Sequence, residues 1–156
     1  YLLGVLEKAN EVNAKTIALT CNSQAKIIDD ASLAICVEVG PEVIAGSSRM
    51  KAGTAQKMVL NMLTTGSMIK IGKTYENFMI DLNPTNEKLK DRAIRIVAQI
   101  AETTHANAFQ TLENCNWEIK TAIVSIKMGV DFDTARQKLK TCNGVLRKLL
   151  NKKEVV

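Results

Sequence analysis

The stretch GPEVIAGSSRMKAGTAQK, residues 40–57, concentrates the side chains able to do chemistry. It carries three glycines, one proline, the pair Ser47 and Ser48, the cations Arg49, Lys51 and Lys57, and the hydrogen-bonding Thr54 and Gln56. Serine hydroxyls bond phosphate or sugar oxygens, and an arginine grips an oxyanion through two parallel N–H bonds. Gly40, Gly46 and Gly53 let a backbone approach closely. An apolar strand-like run precedes the stretch and an apolar-periodic segment follows it. A helix beginning here would offer unpaired N–H groups and a partial positive charge, which attract phosphate. Ser47 and Ser48 are the expected N-caps of that helix.

The spacing GSSRMKAGT matches neither the phosphate loop GxxxxGK[ST] nor a dinucleotide fingerprint. Met50, Thr54, Lys57 and Asn61 share one side of a helical wheel, a mostly polar stripe able to line a sugar site. Gly53 inside the helical pattern costs about 1 kcal/mol against alanine, so a ligand or another backbone is expected beside it. Glu42 is the stretch's one carboxylate, a candidate acid or base. Each reading has a plain counterpart: a solvated stripe with a serine cap, and a carboxylate paired with Arg49 or Lys51. Chemistry alone leaves these alternatives open.

The elements that must position this loop follow a βαβ rhythm. Apolar spacing predicts a helix over residues 1–13 and strands over 15–21 and 33–39, with a loop and short helical turn over 22–30. A long helix is expected over 48–70, then a connector over 73–84 with an extended piece at 78–82. Asn-Pro-Thr-Asn at 83–86 and Glu87 announce an amphipathic helix over 87–103, apolar at Leu89, Ala93, Ile96, Val97 and Ile100. Beyond His105 the pattern is short helices. There Ala108, Leu112, Cys115, Asn116, Ile119 and Lys120 recur, at an offset of 27 residues, as Ala135, Leu139, Cys142, Asn143, Leu146 and Arg147. Two helix–turn–helix copies in a compact bundle are expected. The predicted class is α/β, with residues 1–83 as one part and 84–156 as a linking helix and helical bundle.

Composition narrows the function. The chain has 156 residues, a formal charge of +5 and 4% aromatics, so stacking platforms for nucleic acid are not expected. Basic residues gather at the loop and again at Arg147, Lys148, Lys152 and Lys153. No apolar run is long enough to span a membrane. Cys21, Cys36, Cys115 and Cys142 form no CxxC pair, which favours free thiols in a reducing cytoplasm. His105 reads as a cap or surface group, Trp117 as an anchor of the helical core, and the six methionines as core filler or a dimer surface. The first helix has no strand before it, and a crossover helix needs one at each end. Together with the start at Tyr1, this gives the expectation of a truncated α/β domain.

Residues 40–86, GPEVIAGSSRMKAGTAQKMVLNMLTTGSMIKIGKTYENFMIDLNPTN, resemble the signature segment of the N-acetylmuramic acid 6-phosphate etherases, a version of which the vertebrate glucokinase regulatory protein shares. The pattern G-P-E-x-[LIV]-x-G-S-[ST]-R-[LM]-K-x-G-T-x-x-K is met throughout, and CNWEIKTAIVSIKMGVDFDTARQKL extends the likeness toward the C-terminus. The resemblance implies a sugar isomerase (SIS) domain, a flavodoxin-like three-layer sandwich, followed by a small helical domain. The implied reaction cleaves the D-lactyl ether of N-acetylmuramic acid 6-phosphate by elimination and addition of water, giving N-acetylglucosamine 6-phosphate and D-lactate. It uses carboxylates, no metal and no cofactor, in the recycling of peptidoglycan sugars in the bacterial cytoplasm. The implied partners are a phosphorylated amino sugar and a second copy of the SIS domain, with no nucleic acid and no membrane. Glu42, Ser47, Ser48, Arg49, Lys51 and Thr54 carry over as substrate-site or structural residues. The family's first phosphate-binding loop and its acid and base glutamates belong to an N-terminal half expected upstream of Tyr1, so no catalytic residue carries over, and the isolated chain is expected to be inactive.

Two rivals follow from the same loop. A regulatory sugar-phosphate-binding protein of the glucokinase regulator type would bind without chemistry and would show two tandem domains. A sugar-phosphate isomerase would need a base close to the sugar, and the loop fits it less well.

Overall fold

A computed structural model describes residues 1–150. Lys152 and Lys153 of the basic cluster, and the last residues of the predicted helical part, lie outside the described residues. The chain divides into two compact units, residues 1–64 and the residues from Thr65 onward. The division falls inside the third helix, whereas sequence places the domain boundary at 83/84.

The first unit is mixed helix and sheet. Helix α1 is Leu2–Glu11, strand β1 Ile17–Thr20, helix α2 Ile27–Asp30, strand β2 Leu33–Cys36, and helix α3 begins at Lys51 and runs to Lys70. β1 and β2 pair in parallel, from Ile17 opposite Leu33 to Thr20 opposite Cys36. Thr16 and Ser32 set this register at the strands' first ends. The Ser32 N–H donates to Thr16 Oγ1 at 2.9 Å and the Thr16 N–H to Ser32 Oγ at 3.3 Å.

Both strands are shorter than predicted, and the two long helices of this unit bury almost nothing. α1 contains no buried residue, and α3 buries Ala52 alone. All six methionines are exposed: Met50, Met58, Met62, Met68, Met79 and Met128. The expectation that they fill the chain's own core is therefore corrected. Four of them, Met58, Met62, Met68 and Met128, lie on helices whose exposed apolar side chains no other described residue covers.

The second unit builds its core from helices. A hairpin follows α3: β3 Thr74–Tyr75 pairs antiparallel with β4 Phe78–Met79, which lies in the extended piece expected at 78–82, Thr74 opposite Met79 and Tyr75 opposite Phe78. Helix α4, Glu87–Ala101, starts where Asn86 accepts the Leu89 N–H at 2.9 Å. It ends at Glu102 in the left-handed region, two residues short of the predicted end. Helices α5 His105–Asn114, α6 Ile119–Met128, α7 Phe132–Thr141 and α8 Leu146–Leu150 follow. α4 packs on α5 and α6, and α6 on α7.

The 27-residue repeat is structural. Thr104 caps α5 by accepting the Asn107 N–H, and Asp131 caps α7 by accepting the Thr134 N–H. Each copy closes on a cysteine with φ −110°, followed by an asparagine at φ +55°. The next N–H then reaches back to a leucine carbonyl, Trp117 to Leu112 at 2.7 Å and Gly144 to Leu139 at 2.8 Å. Ala108, Leu112 and Cys115 are buried, as are Ala135, Leu139 and Leu146. Trp117 differs from its expected place. It packs at the edge of the core, with Phe109 edge-on at 6.0 Å and Lys90 Nζ at 5.2 Å over its ring, while Val97, Leu112, Ile123 and Leu146 form the centre. His105 is an exposed first residue of α5.

Candidate functional site

The loop after β2 is shaped by its own carboxylate. Glu42 accepts the N–H groups of Arg49 at 2.9 Å and Ala52 at 3.1 Å on Oε1, and those of Met50 at 3.2 Å and Lys51 at 3.0 Å on Oε2. The first intrahelical bond of α3 is Gly53 N–H to the Arg49 carbonyl at 3.2 Å. The four N–H groups that a helix leaves unpaired at its start are thus all satisfied by one side chain. Their bonds stabilise the ionised form, those from Lys51 and Ala52 most, and hold the Glu42 carboxyl below its ordinary value against a smaller opposing effect of burial.

Two sequence expectations change. Ser47 and Ser48 do not cap the helix, which begins at Lys51 rather than at 48, because Glu42 supplies the cap from a distance. Glu42 bonds the backbone of Arg49 and Lys51, not their side-chain cations. Lys51 Nζ instead donates to the Pro41 carbonyl at 3.0 Å, closing the loop a second time. Gly40 at φ +68° and Gly46 at φ +111° provide the left-handed turns this path needs.

The loop encloses a depression of about 410 Å³ lined by Gly40, Pro41, Glu42, Ala45, Gly46, Ser47 and Ser48. Ser47, Ser48, Arg49 and Thr54 are exposed, and their side chains have no hydrogen-bond partner among the described residues. Two hydroxyls and a guanidinium beside a small hollow can bind an oxyanion or a sugar. A Cβ built on Gly53 meets nothing within 4 Å, so among the described residues no backbone explains that glycine.

Sequence reasoning passed over the carboxyl end of β1 and Glu38 just beyond β2. Ser23 Oγ donates to Glu38 Oε1 at 2.5 Å, and the Asn22 N–H donates to Thr20 Oγ1 at 3.1 Å. Ligands of parallel α/β sheets bind beyond the carboxyl ends of strands, and that rule was the signal available. Among the described residues no group of three or more His, Cys, Asp or Glu is placed to hold a metal ion, and the four cysteines are free. Among the described residues no helix is long and apolar enough to cross a membrane. In the second unit a hollow of about 360 Å³ is lined in part by Asp81, Trp117 and Lys120. Its Asp81 is already paired, with Lys73 and with Lys120 Nζ at 3.2 Å.

Residues 2–66 match the SIS domain family. The chain is 47% identical over 154 residues, 99% of its length, to the N-acetylmuramic acid 6-phosphate etherase of Pseudoalteromonas atlantica, of which that region is 50%. The chain is similar to N-acetylmuramic acid 6-phosphate etherases along nearly its whole length. The etherase of Vibrio atlanticus is 49% identical over 95% of the chain and 48% of the relative, and that of Shouchella clausii 45% over 97% and 51%. The chain spans about half the length of these curated relatives. Both the loop and the helical repeat fall within the region of likeness to the etherases.

Proposed function

We propose that this chain is the C-terminal half of a lyase that cleaves the D-lactyl ether of N-acetylmuramic acid 6-phosphate. The observation that carries the reading is identity of 45–49% to etherases across both units. The loop supports it. Ser47, Ser48, Arg49 and Thr54 offer uncommitted donors suited to a phosphorylated sugar, and Lys51 holds the loop closed through Pro41.

Glu42 belongs to this site as its framework. Its oxygens accept N–H groups, and its lowered pKa makes it a weak base. Removal of the proton beside the ether and protonation of the departing lactate fall to carboxylates on the other half of the protein. On this reading the first part, residues 1–83, completes a flavodoxin-like SIS sandwich with that half. The helical part, 84–156, opens at Pro84 and the Asn86 cap. The exposed methionines and leucines of α3 fit a surface that is covered in the assembled enzyme, including one between two copies. The setting is the cytoplasm, where muropeptide sugars are recycled.

The test is release of D-lactate from N-acetylmuramic acid 6-phosphate. The chain alone should release none. The chain joined to the unmatched half of the Pseudoalteromonas atlantica relative should release it. Turnover by the chain alone would overturn the division of labour, and no turnover by the joined protein would overturn the lyase reading.

A further inference from the structure

We infer that the hollow beside Trp117 is a binding site for a neutral sugar that carries an acetamide group, an N-acetylated amino sugar. The site lies wholly within the second unit, and the inference does not rest on the etherase reading.

The 27-residue repeat shows that Trp117 is not needed for the turn it occupies. Both copies turn the same way after their first helix, through Asn116 at φ +55° and Trp117 at φ +61° in one and Asn143 at φ +55° and Gly144 at φ +71° in the other. In each, the N–H of the second residue reaches back to a leucine carbonyl, at 2.7 and 2.8 Å. Glycine takes this left-handed position freely, whereas a bulky side chain there is strained. Core packing does not demand the tryptophan either, because the indole lies at the edge of a core centred on other side chains. Backbone strain of this kind gathers at ligand sites. The indole here lines a hollow of about 360 Å³, within the size range of small-molecule sites.

The lining sets the chemistry of the occupant. Its charges are neutralised within the chain, Asp81 by Lys73 and by Lys120 Nζ at 3.2 Å, and Glu118 by Arg136 at 2.9 Å. A charged ligand would have to break one of these pairs, so the occupant is neutral. The uncommitted groups are neutral too. The indole N–H of Trp117 and the side-chain amides of Asn83 and Asn116 have no hydrogen-bond partner among the described residues. An indole N–H can only donate, and Trp117 is half-buried, where such a donor ordinarily finds an acceptor. An acetamide carbonyl supplies that acceptor, the acetamide N–H suits an asparagine carbonyl, and sugar hydroxyls serve the remaining amide. Pro84 and the indole give the apolar wall that the C–H face of a pyranose ring needs.

Trp117 is the chain's single tryptophan, so its emission reports on this hollow directly. Titration of the 156-residue chain with N-acetylglucosamine should change that emission saturably, and calorimetry should return the same Kd. Glucose, which lacks the acetamide, should bind about 10-fold more weakly or worse, and Asn83→Ala, an exposed position, should weaken N-acetylglucosamine binding about 3- to 10-fold. Trp117→Gly should keep the fold, because Gly144 makes the same turn in the other copy, and should give no heat of binding. Three results would overturn the inference: no saturable change in either emission or heat for the wild-type chain, equal affinity for glucose, or a folded Trp117→Gly that still binds. The first two need no variant to fold. None involves turnover, so a failed etherase assay leaves the inference intact, and absent binding leaves the etherase reading intact.

Discussion

Glu42 and Ala52 stand ten residues apart in sequence, and the carboxylate of one accepts the backbone N–H of the other at 3.1 Å. With the three neighbouring N–H groups, this contact makes a loop carboxylate the cap of a 20-residue helix. The loop's shape and the helix's start are one feature, and removing the carboxylate should disturb both.

That link has a pH dependence whose sign follows from the lowered pKa. The folded chain holds Glu42 ionised below its ordinary value of 4.5, so its stabilisation is fully present above that value and is lost as pH falls through the lower folded one. Thermal melts between neutral pH and pH 3 should show the melting temperature of the wild-type chain falling more steeply than that of Glu42→Gln. Parallel curves would show that the contact contributes nothing to stability.

Arg49→Ala and Ser47→Ala should weaken substrate binding without weakening the fold. Loss of a charge-assisted bond from Arg49 to phosphate should raise KM of the joined enzyme about 10- to 100-fold. Chemical denaturation should place both variants within about 0.5 kcal/mol of the parent, because both residues are exposed and neither side chain has a hydrogen-bond partner among the described residues. A large stability loss in either would move that residue from binding to framework.

Two glycines should respond to alanine in opposite directions. A Cβ on Gly72 would lie 2.9 Å from the Val145 Cα, and the residue sits at φ +73°. Gly72→Ala should therefore destabilise the second unit by about 2 kcal/mol or more, from left-handed strain and overpacking together. Gly53 has open space beside it, so Gly53→Ala should stabilise α3 by about 1 kcal/mol. Urea unfolding measures both. If Gly53→Ala also impairs substrate binding in the joined enzyme, the space it fills is where the sugar lies.

Leu112→Ala should be the more damaging of the paired core truncations, costing about 3 kcal/mol or more. Leu112 is fully buried and its carbonyl anchors the Trp117 turn at 2.7 Å, whereas its repeat counterpart Leu139 keeps some exposure. Denaturant midpoints of the two variants compare them directly, and equal losses would mean that the two copies pack equivalently.

What was readable in the sequence was what neighbours in the chain decide. Asn86, in the Asn-Pro-Thr-Asn run that announced α4, caps it through an N–H three residues away, whereas at α5 the cap is Thr104 rather than His105. The repeat could be read because each copy's alanine, leucine and cysteine occupy one helical face, and burial keeps such a face apolar. The extended piece expected at 78–82 holds one strand of the hairpin, but its pairing with Thr74–Tyr75 escaped notice because both strands are two residues long, too short for any period to show, and the turn has Glu76 at φ +51° where a glycine would have signalled it. The methionines could be read as core or as a dimer surface because periodicity marks an apolar face without saying what covers it.

The sequence by itself determined which residues compose the loop and that its chemistry suits an anion. Tertiary structure alone decided which anion the helix receives. Ser47 and Ser48 were nearer in the chain and ranked as better caps by residue type, since a cap usually bonds within its own first turn. The chain reverses at Gly40 and Gly46, and that path delivers Glu42 to all four N–H groups at once. An ionised carboxylate with two oxygens satisfies more of those donors than one hydroxyl can. No local pattern encodes that meeting, because it depends on where a loop of several residues brings its two ends.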